Sequence, residues 1–436
     1  MERLRLSSEA QESRYTRPLD ILVVYATRRY PHRATIWDHL YAFERHSGHR
    51  CSYLNVGVRG VPNYILDSHF DLIVFHTTFL SGRWFPERMA ILMRRAAPLR
   101  RSNAVKVALP QDEFLNSILL CDIIKELNID HVFSAAPESE WPLIYAGVDC
   151  NRVKFHRVLT GYLEEGRVCE IQSLSRGIQD RPIDIGYRAW HASPWLGRHG
   201  RLKVSVASAV EERAPGLGLV TDISTLDKDT LLDNDWYKFL LRCRYTVGAE
   251  GGSSILDRDG SIRLRTEAYE KSHPGASFEE IQDCCFPGQD GRLSLFALSP
   301  RHLEACATRT CQILVEGEYA GILEPWKHYI PLKRDLSNID DVLQLTKDED
   351  LRSRIIESAY RDVVASGAYT YRRFVERVLY ESISGRERSG ATQSPDAAAY
   401  RVQSRMKRAD AITWRGIRLA NTAHRALTSY KRYVTH

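Results

Sequence analysis

The stretch DILVVYA (residues 20–26) is a short apolar run of the kind that forms a β-strand buried on both faces of a sheet. The same signal recurs in FDLIVFHTT (70–78), AVKVALPQDE (104–113) and DHVFSAA (130–136). Helical sequence lies between these runs, as in TIWDHLYAFERH (35–46), where apolar residues recur at helical spacing. Strands that alternate with helices predict a parallel sheet built from right-handed crossovers.

The pattern weakens in the polar stretch 160–180 and then restarts. The segments IDIGYRA (183–189), LKVSVAS (202–208), YTVGAE (245–250) and QILVEG (312–317) indicate the strands of a second parallel sheet. At 436 residues the chain also exceeds what a single hydrophobic core usually covers. We therefore predict an α/β fold with two Rossmann-like parallel-sheet domains that face a cleft.

The predicted domain boundaries follow the changes in this pattern and in composition. Ligands of open parallel sheets bind at the carboxyl ends of the strands, so the residues just after each strand are the first candidates for a site. The predicted units are a polar leader (1–17), an N-terminal Rossmann-like domain (18–175), a C-terminal Rossmann-like domain (180–350), C-terminal helices (351–385), and a linker with a basic helical tail (386–436).

Charge is unevenly distributed along the chain, whose net charge is +6. Residues 385–436 carry 11 Lys and Arg against three acidic residues, which leaves a charge of −2 for residues 1–384. A nucleic-acid-binding enzyme more often carries positive charge across its working face, so we expect no nucleic-acid partner. The charged N-terminus lacks the apolar stretch of a secretory signal, and the nine cysteines form no C-x-x-C pair. These features predict a cytoplasmic protein with reduced thiols.

Two common nucleotide-binding motifs are missing from the sequence. No G-x-G-x-x-G follows the first predicted strand, and no G-x-x-x-x-G-K-[ST] is present. A dinucleotide-dependent dehydrogenase and a P-loop kinase are therefore disfavoured.

A longer pattern begins at ALSPRHLEACATRTCQILVEG and extends over residues 297–345. In it a predicted helix starts near Arg301, carries Glu304, and leads to a strand. This pattern resembles the donor-binding half of GT-B glycosyltransferases, in particular a bacterial, group 1-like branch. Further similarity lies in GAEGGSSILDRDG (248–260) and ALPQDEF (108–114). The resemblance implies a nucleotide-sugar-dependent glycosyltransferase with the donor in the C-terminal lobe and the acceptor in the N-terminal lobe.

The resemblance implies a donor-binding role for Glu304, since the family glutamate at this position binds both ribose hydroxyls. A carboxylate can accept two hydrogen bonds from a vicinal diol. The helix start, with Arg301 beside it, would face the diphosphate. The alternative for Glu304 is a solvated helix residue. Many retaining members carry another glutamate eight positions earlier, where this chain has Phe296, so the sequence leaves retention and inversion open.

Further candidates for donor binding follow other strands of the second lobe. Arg188 ends one predicted strand and could bind the diphosphate or form a surface salt bridge, while for Lys203 a surface role is favoured. The glycine-containing loop after a third strand could form an anion-binding nest of backbone N–H groups. Its candidate residues are Glu250, Gly251, Gly252 and Ser253.

Candidates for catalysis and acceptor binding follow strands of the first lobe. His76 could hold or take a proton beside the sugar or acceptor hydroxyl, and a core histidine is an equal alternative. Asp112 could act as a general base, although capping the next helix is a competing role. Glu113 and Arg29 are predicted on the acceptor side, where Arg29 could meet an anionic acceptor.

The sequence offers no convincing metal site. Residues 257–259 have D-x-D spacing but lie in a predicted turn, and GT-B enzymes usually work without a bound divalent ion. We predict no metal and no cofactor beyond the nucleotide-sugar substrate. By analogy, the acceptor is a glycan or a lipid-linked molecule in bacterial surface polysaccharide assembly. The alternatives are a non-catalytic nucleotide- or glycan-binding protein and a nucleotide-sugar epimerase of the same fold.

The basic tail is predicted to form an amphipathic helix. Lys and Arg residues fall opposite an Ala-rich apolar sector, and Trp414 and Ile417 do not fit the scheme. Such a helix could lie on an anionic membrane, at the inner face of the cell membrane, or pack on the body or a second subunit. The predicted apolar sector contains Ala409, Ile412, Leu419, Ala423, Leu427 and Tyr430.

Overall fold

The computed structural model describes residues 17–28, 33–176, 180–383 and 396–434. Its strands are short, as expected for a parallel sheet covered by helices. They are β1 (Asp20–Tyr25), β2 (Arg50–Asn55), β3 (Leu72–Phe75), β4 (Val105–Ala108), β5 (His131–Ser134), β6 (Lys154–Arg157), β7 (Ile183–Arg188), β8 (Thr221–Ser224), β9 (Cys243–Gly248), β10 (Gly251–Ser253), β11 (Leu295–Ala297), β12 (Cys311–Val315) and β13 (Ile330–Leu332).

The strands form two parallel sheets, one in each lobe. The first sheet has the order β2, β1, β3, β4, β5, β6, and the second has the order β13, β12, β9, β7, β8. Every neighbouring pair in both sheets is parallel. A small antiparallel pair, β10 and β11, lies beside the second sheet. The prediction of two Rossmann-like parallel-sheet lobes is therefore confirmed.

Helices cover both faces of the first sheet. Leu22 and Val24 of β1 pack into one core and Ile21 and Val23 into the other, which is why this strand is apolar throughout. The helices of the two lobes are α1 (Ala34–Leu40), α2 (Ala42–His46), α3 (Asn63–Leu66), α4 (Thr77–Leu80), α5 (Pro86–Ala96), α6 (Ser117–Glu126), α7 (Trp141–Ile144), α8 (Glu165–Ser175), α9 (Gly197–Arg213), α10 (Asn234–Leu241), α11 (Ser261–Ser272), α12 (Phe278–Cys285), α13 (Pro300–Ala307), α14 (Ile339–Gln344), α15 (Glu349–Ala359), α16 (Tyr371–Ile383) and α17 (Asp396–Val434).

One predicted strand is a helix. The segment LKVSVAS (202–208) lies inside α9. In this helix Leu202, Val206 and Val210 recur every four positions, and all three pack with the core of the second lobe. The valines of this segment alternate with polar residues, a pattern that is also typical of a strand. The same residues fit a helical period, and packing against the sheet favours the helix.

The last two helices of the chain return to the first lobe. Phe374, Val375 and Val378 of α16 are buried with residues of the first sheet. Met406, Trp414 and Ile417 place α17 on the same lobe. The N-terminal sheet therefore depends on residues that lie more than 200 positions further along the chain.

The packing face of α17 differs from the apolar sector predicted for the tail. Trp414 and Ile417, which did not fit that sector, are buried against the first lobe. Ile412 and Leu419, which belong to it, are 72% and 66% exposed. Trp414 packs on the aromatic surface of the first lobe, where its ring centre lies 4.4 Å from that of Trp37. Among the described residues, no helix has the length and apolar character needed to cross a bilayer.

Candidate functional site in the cleft between the lobes

A cleft of about 940 Å³ lies between the lobes, at the carboxyl ends of strands from both sheets. Its size falls within the usual range of small-molecule sites. The first lobe contributes residues that follow β1, β3 and β4, and the second contributes the end of β7 and the start of α13. Polar and aromatic residues of the lining include Arg28, Arg33, His39, Trp84, Phe85, Arg88, Gln111, Asp112, Arg188, Trp190, Trp236, Tyr237, Arg301 and Glu304.

Glu304 is held in a defined orientation at the wall of the cleft. It lies on α13, and its side chain is nearly buried. Trp236 donates from Nε1 to Oε2 of Glu304 at 2.8 Å, and the Tyr237 hydroxyl lies 3.4 Å from Oε1. Burial raises the pKa of Glu304, while the bond from Trp236 and the charge of Arg301 oppose this shift. The carboxylate is thus pre-oriented and retains lone pairs for a ligand.

The start of α13 carries Arg301 into the cleft. The Ser299 side chain caps the helix by accepting a bond from the backbone N–H of Arg301 at 3.4 Å. Arg301 donates from Nη1 to the carbonyl oxygen of Arg188 at 2.6 Å, and its guanidinium lies 5.5 Å from the centre of the Trp236 ring. These contacts orient Arg301 without neutralising its charge.

Two further cations lie near Arg301, one from each lobe. Desolvation and the charge of Arg301 lower the pKa of Lys203, on α9, to about 8. The same two causes lower the pKa of Arg33, which precedes α1 in the first lobe. Within the described part of the chain, no carboxylate lies within ion-pair distance of any of these three side chains. We call Arg33, Lys203 and Arg301 the cation group; its unpaired positive charge suits a bound anion.

Arg188 also lines the cleft, but its charge is already paired. Its Nη2 donates to Asp222 Oδ1 at 2.6 Å, and its guanidinium lies 4.4 Å from the centre of the Phe239 ring. The carbonyl of the same residue accepts the bond from Arg301. The structure therefore places Arg188 behind Arg301 as a support.

The loop predicted to form a backbone nest is part of the second lobe's interior. Glu250 is buried and accepts a bond from the backbone N–H of Tyr319 at 2.7 Å. Gly251–Ser253 form β10, and Ser253 Oγ is buried against backbone carbonyls. Gly252 has a φ of 109°, and a Cβ there would collide with the carbonyl oxygen of Leu295. Among the described residues that line the cleft, none belongs to this loop.

His76 lies one layer behind the surface of the cleft. It is buried at the start of α4, where its Nδ1 accepts the backbone N–H of Thr78 at 3.1 Å. Its Nε2 lies 2.8 Å from Nδ1 of His39, which does line the cleft and is 5% exposed. Burial lowers the pKa of His39 to about 4. Sequence patterns identified His76 from the strand end and missed His39, which lies inside a helix.

Asp112 faces the cleft from the turn after β4. Its φ of 54° is left-handed, a conformation that Asp adopts more readily than most residues. The guanidinium of Arg83, which is fully buried, donates to the carbonyl oxygens of Gln111 and Asp112 at 2.5 Å each and so supports this turn. Desolvation raises the pKa of Asp112, and Arg83 and Lys203 oppose the shift. The carboxyl of Asp112 thus lies within electrostatic range of Lys203, one member of the cation group.

Glu113 lies inside the first lobe instead of on the predicted acceptor side. Its Oε1 accepts bonds from Ser134 Oγ at 2.5 Å, the backbone N–H of Ala135 at 3.1 Å and the Tyr145 hydroxyl at 3.2 Å. The left-handed turn at Asp112 directs these two neighbouring side chains to opposite sides. Arg29, the other predicted acceptor-side residue, lies outside the described residues.

The D-x-D sequence at 257–259 has a structural role. The carboxylate of Asp257 accepts backbone N–H bonds from Ile262 at 3.2 Å and Arg263 at 2.8 Å, at the start of α11. In the described part of the chain, no group of three or more His, Cys, Asp or Glu side chains is arranged to hold a metal ion.

Comparisons with known proteins give structural matches only. No family model and no curated protein sequence matches the chain. HepE from Anabaena in complex with UDP has a TM-score of 0.47 and 10% identity, covering 84% of this chain and 100% of that one. AviGT4, a glycosyltransferase of avilamycin A biosynthesis, gives 0.43 and 9%, covering 84% and 97%. Sucrose-phosphate synthase from Thermosynechococcus elongatus gives 0.44 and 10%, covering 83% and 98%.

Proposed function

We propose that this protein is a glycosyltransferase that moves a sugar from a nucleotide-diphosphate sugar to an acceptor hydroxyl. The observation that carries the proposal is the placement of Glu304 beside the cation group at the boundary of two parallel-sheet lobes. A pre-oriented carboxylate next to unpaired cations matches a ribose diol followed by a diphosphate. The N-terminus of α13 adds its positive dipole end to the same place.

In this reaction the bond between the anomeric carbon and the diphosphate oxygen breaks, and a bond to the acceptor oxygen forms. Arg301, Lys203 and Arg33 would stabilise the negative charge that develops on the departing diphosphate. Asp112 faces them from the first lobe and would order the acceptor hydroxyl or take its proton, for which a raised pKa is suited. No metal or further cofactor has a role in this proposal.

The first-lobe half of the cleft favours an amphiphilic acceptor, such as a lipid-linked glycan precursor of a surface polysaccharide. Phe85, just before α5, and Ile91, within it, are 52% and 42% exposed at the edge of the cleft, and Arg88 of α5 also lines it. Apolar side chains beside a cation suit a molecule with an apolar part and an anionic or sugar head.

Contact with a membrane surface through α17 would suit such an acceptor. Arg408, Ile412, Arg415 and Leu419 are exposed and share the helix face opposite to the one that packs on the first lobe. A face with both basic and apolar side chains suits an anionic bilayer.

Sedimentation with lipid vesicles tests this contact. We expect the protein to sediment with vesicles that contain phosphatidylglycerol and to remain in solution with phosphatidylcholine alone. Ile412→Asp with Leu419→Asp should abolish sedimentation, and Leu264→Asp, at an exposed leucine of α11, is the control. Equal sedimentation with both lipids would contradict the proposal.

A non-catalytic nucleotide-binding protein of the same fold is the second candidate, and Phe296 favours it. This residue occupies the position where many retaining relatives carry an acid, and its ring stacks on His199 at 3.7 Å between centres. The Arg334 guanidinium lies 5.6 Å from the centre of the same ring. The position of the missing acid is thus occupied by an aromatic ring that packs between His199 and Arg334. Nucleotide binding without any hydrolysis or transfer of a sugar would support this candidate.

The main experiment is calorimetric titration with UDP, GDP and CMP, preceded by a thermal-stability screen of sugar nucleotides. Glu304→Gln should weaken binding of the preferred nucleotide by roughly 1–3 kcal/mol, because a charge-assisted acceptor is lost. Glu211→Gln, at an exposed position of α9, is the matched control. Unchanged affinity in Glu304→Gln would show that the donor site is elsewhere.

A further inference from the structure

The His39–His76 pair has a hydrogen-bond pattern that only one proton arrangement satisfies. The backbone N–H of Thr78 always carries a proton and lies 3.1 Å from Nδ1 of His76, and the Thr78 hydroxyl, 3.0 Å from the same nitrogen, can also donate to it. Nδ1 of His76 must therefore be the unprotonated, accepting nitrogen, since a proton there would face the amide proton. A neutral His76 then carries its proton on Nε2.

The same logic extends to His39. The Nε2–H of His76 lies 2.8 Å from Nδ1 of His39, so this Nδ1 accepts the bond. A neutral His39 is consequently protonated on Nε2. Nε2 has no hydrogen-bond partner among the described residues, and it is not sealed from solvent.

The surroundings of His39 favour its neutral form. Its ring centre lies 5.2 Å from that of Phe374 and 5.8 Å from that of Tyr371, both of which are buried. Burial among these rings lowers the pKa of His39 to about 4. His39 is thus a poor proton acceptor at neutral pH, whereas its free N–H group is available at all times.

We propose that His39 is a fixed hydrogen-bond donor in the cleft, held in the Nε2–H form by His76, and that it donates to a hydroxyl oxygen of the bound sugar. The proposal rests on the glycosyltransferase function proposed above. The role of His76 is to position His39, through the chain of bonds that starts at the Thr78 amide. The sugar oxygen can belong to the donor or to the acceptor, and the experiment below distinguishes the two.

The first measurement is the tautomer of His39 by long-range proton–nitrogen NMR correlation at pH 7 in the full-length protein. We expect Nδ1 to be unprotonated and Nε2 to be protonated in both His39 and His76. His76→Asn should leave His39 in a mixture of tautomers, because the donor to Nδ1 is lost. A protonated Nδ1 on His39 in the unsubstituted protein would overturn the proposal, whatever the activity of the enzyme.

The second measurement follows the Nε2–H signal of His39 upon addition of ligand. The probes are UDP and the sugar nucleotide that stabilises the protein most in the thermal screen. If the donor sugar accepts the bond, the sugar nucleotide shifts the signal and UDP does not. If the acceptor sugar does so, the signal moves only when a glycan acceptor is added to the UDP complex. A signal that none of these additions moves would overturn the assignment of the ligand.

Substitution separates a hydrogen-bond donor from a general base. His39→Phe should lower kcat/KM by about 10- to 100-fold and leave the affinity for UDP unchanged. His39→Gln retains an N–H donor near the position of Nε2 and should recover much of this loss, and His273→Phe, at an exposed histidine, is the control. Equal loss in His39→Gln and His39→Phe would indicate a proton-transfer role and contradict the proposal. Failure of the proposed function itself would appear separately, as unchanged nucleotide affinity in Glu304→Gln.

Discussion

The two walls of the cleft are built in different ways. The second-lobe wall presents Glu304 and Arg301, which lie within one turn of each other on α13. The first-lobe wall presents His39 and Asp112, whose positions depend on His76 and the buried Arg83 behind them. One wall presents charge at a helix start, and the other presents hydrogen-bonded groups from distant segments. The second type of wall should be more sensitive to substitutions that never touch a ligand.

The largest expected effect is on the first-lobe wall, in Arg83→Met. Its guanidinium donates to the carbonyl oxygens of Leu80, Leu115, Gln111 and Asp112, which would lose their partner. We expect the free energy of unfolding to fall by about 3–5 kcal/mol. Denaturant titration measures this loss.

Arg101→Met, at an exposed arginine, is the control for Arg83→Met and should change stability by less than about 0.5 kcal/mol. A similarly small effect in Arg83→Met would show that the turn at Asp112 is stable without the Arg83 guanidinium. The two walls of the cleft would then not differ in their dependence on buried supporting residues.

The next effect concerns the second-lobe wall, in Arg301→Met. Loss of this cation should weaken UDP binding by about 1–3 kcal/mol, because a charge-assisted contact to the diphosphate disappears. Uridine, which has no phosphate, should bind equally well to both proteins. Calorimetric titration of both ligands is the measurement, and Arg198→Met, at an exposed arginine of the same lobe, is the control. Equal losses for UDP and uridine would place Arg301 away from the diphosphate.

A smaller effect is expected in Trp236→Phe, which removes the N–H bonded to Glu304. The carboxylate remains but is less well oriented, so the affinity for uridine should fall by about 1 kcal/mol. Trp326→Phe, at an exposed tryptophan, provides the comparison. If Trp236→Phe binds uridine as tightly as the unsubstituted protein, the hydrogen bond from Trp236 to Glu304 does not contribute to nucleoside binding.

The smallest effect is a pH dependence that comes from Lys203. Desolvation and Arg301 lower its pKa to about 8, so the free protein loses this charge as the pH rises through 8. The affinity for UDP should therefore decrease by about 3- to 5-fold between pH 7 and pH 9. Lys203→Arg keeps its charge over this range and should flatten the profile. If the affinity for UDP depends on pH in the same way in both proteins, Lys203 does not contribute to anion binding.

Features that depend on local sequence could be predicted. Apolar runs such as DILVVYA identified most strands of both sheets, because strands buried on both faces are apolar throughout. The placement of Arg301 and Glu304 on one short helix could be predicted from local sequence too, whereas the role expected of Glu304 came from the resemblance to GT-B glycosyltransferases. The helix that contains Lys203 was missed because its valines also alternate with period two.

Features that depend on contacts between distant segments could not be predicted. The hydrogen bond that orients the His39 ring comes from His76, 37 positions away. Arginine usually lies at the protein surface, and only the structure shows that carbonyl oxygens surround the side chain of Arg83. Glu113 and Asp112 follow the same strand, yet one positive φ value sends them to opposite sides. The spacing of residues along the sequence does not indicate these contacts or this φ value.

The return of α17 to the first lobe has a consequence for how the chain matures on the ribosome. The carboxylate of Asp410 accepts hydrogen bonds from the hydroxyls of Tyr25 and Tyr41, and Trp414 donates from Nε1 to the Tyr41 hydroxyl at 2.9 Å. The N-terminal half of the protein is synthesised first, and these partners emerge more than 350 residues later. The second lobe can therefore reach its final packing before the first lobe does. A nascent or truncated chain that stops after α16 leaves the tyrosines uncovered, as a surface that chaperones and quality-control proteases can recognise.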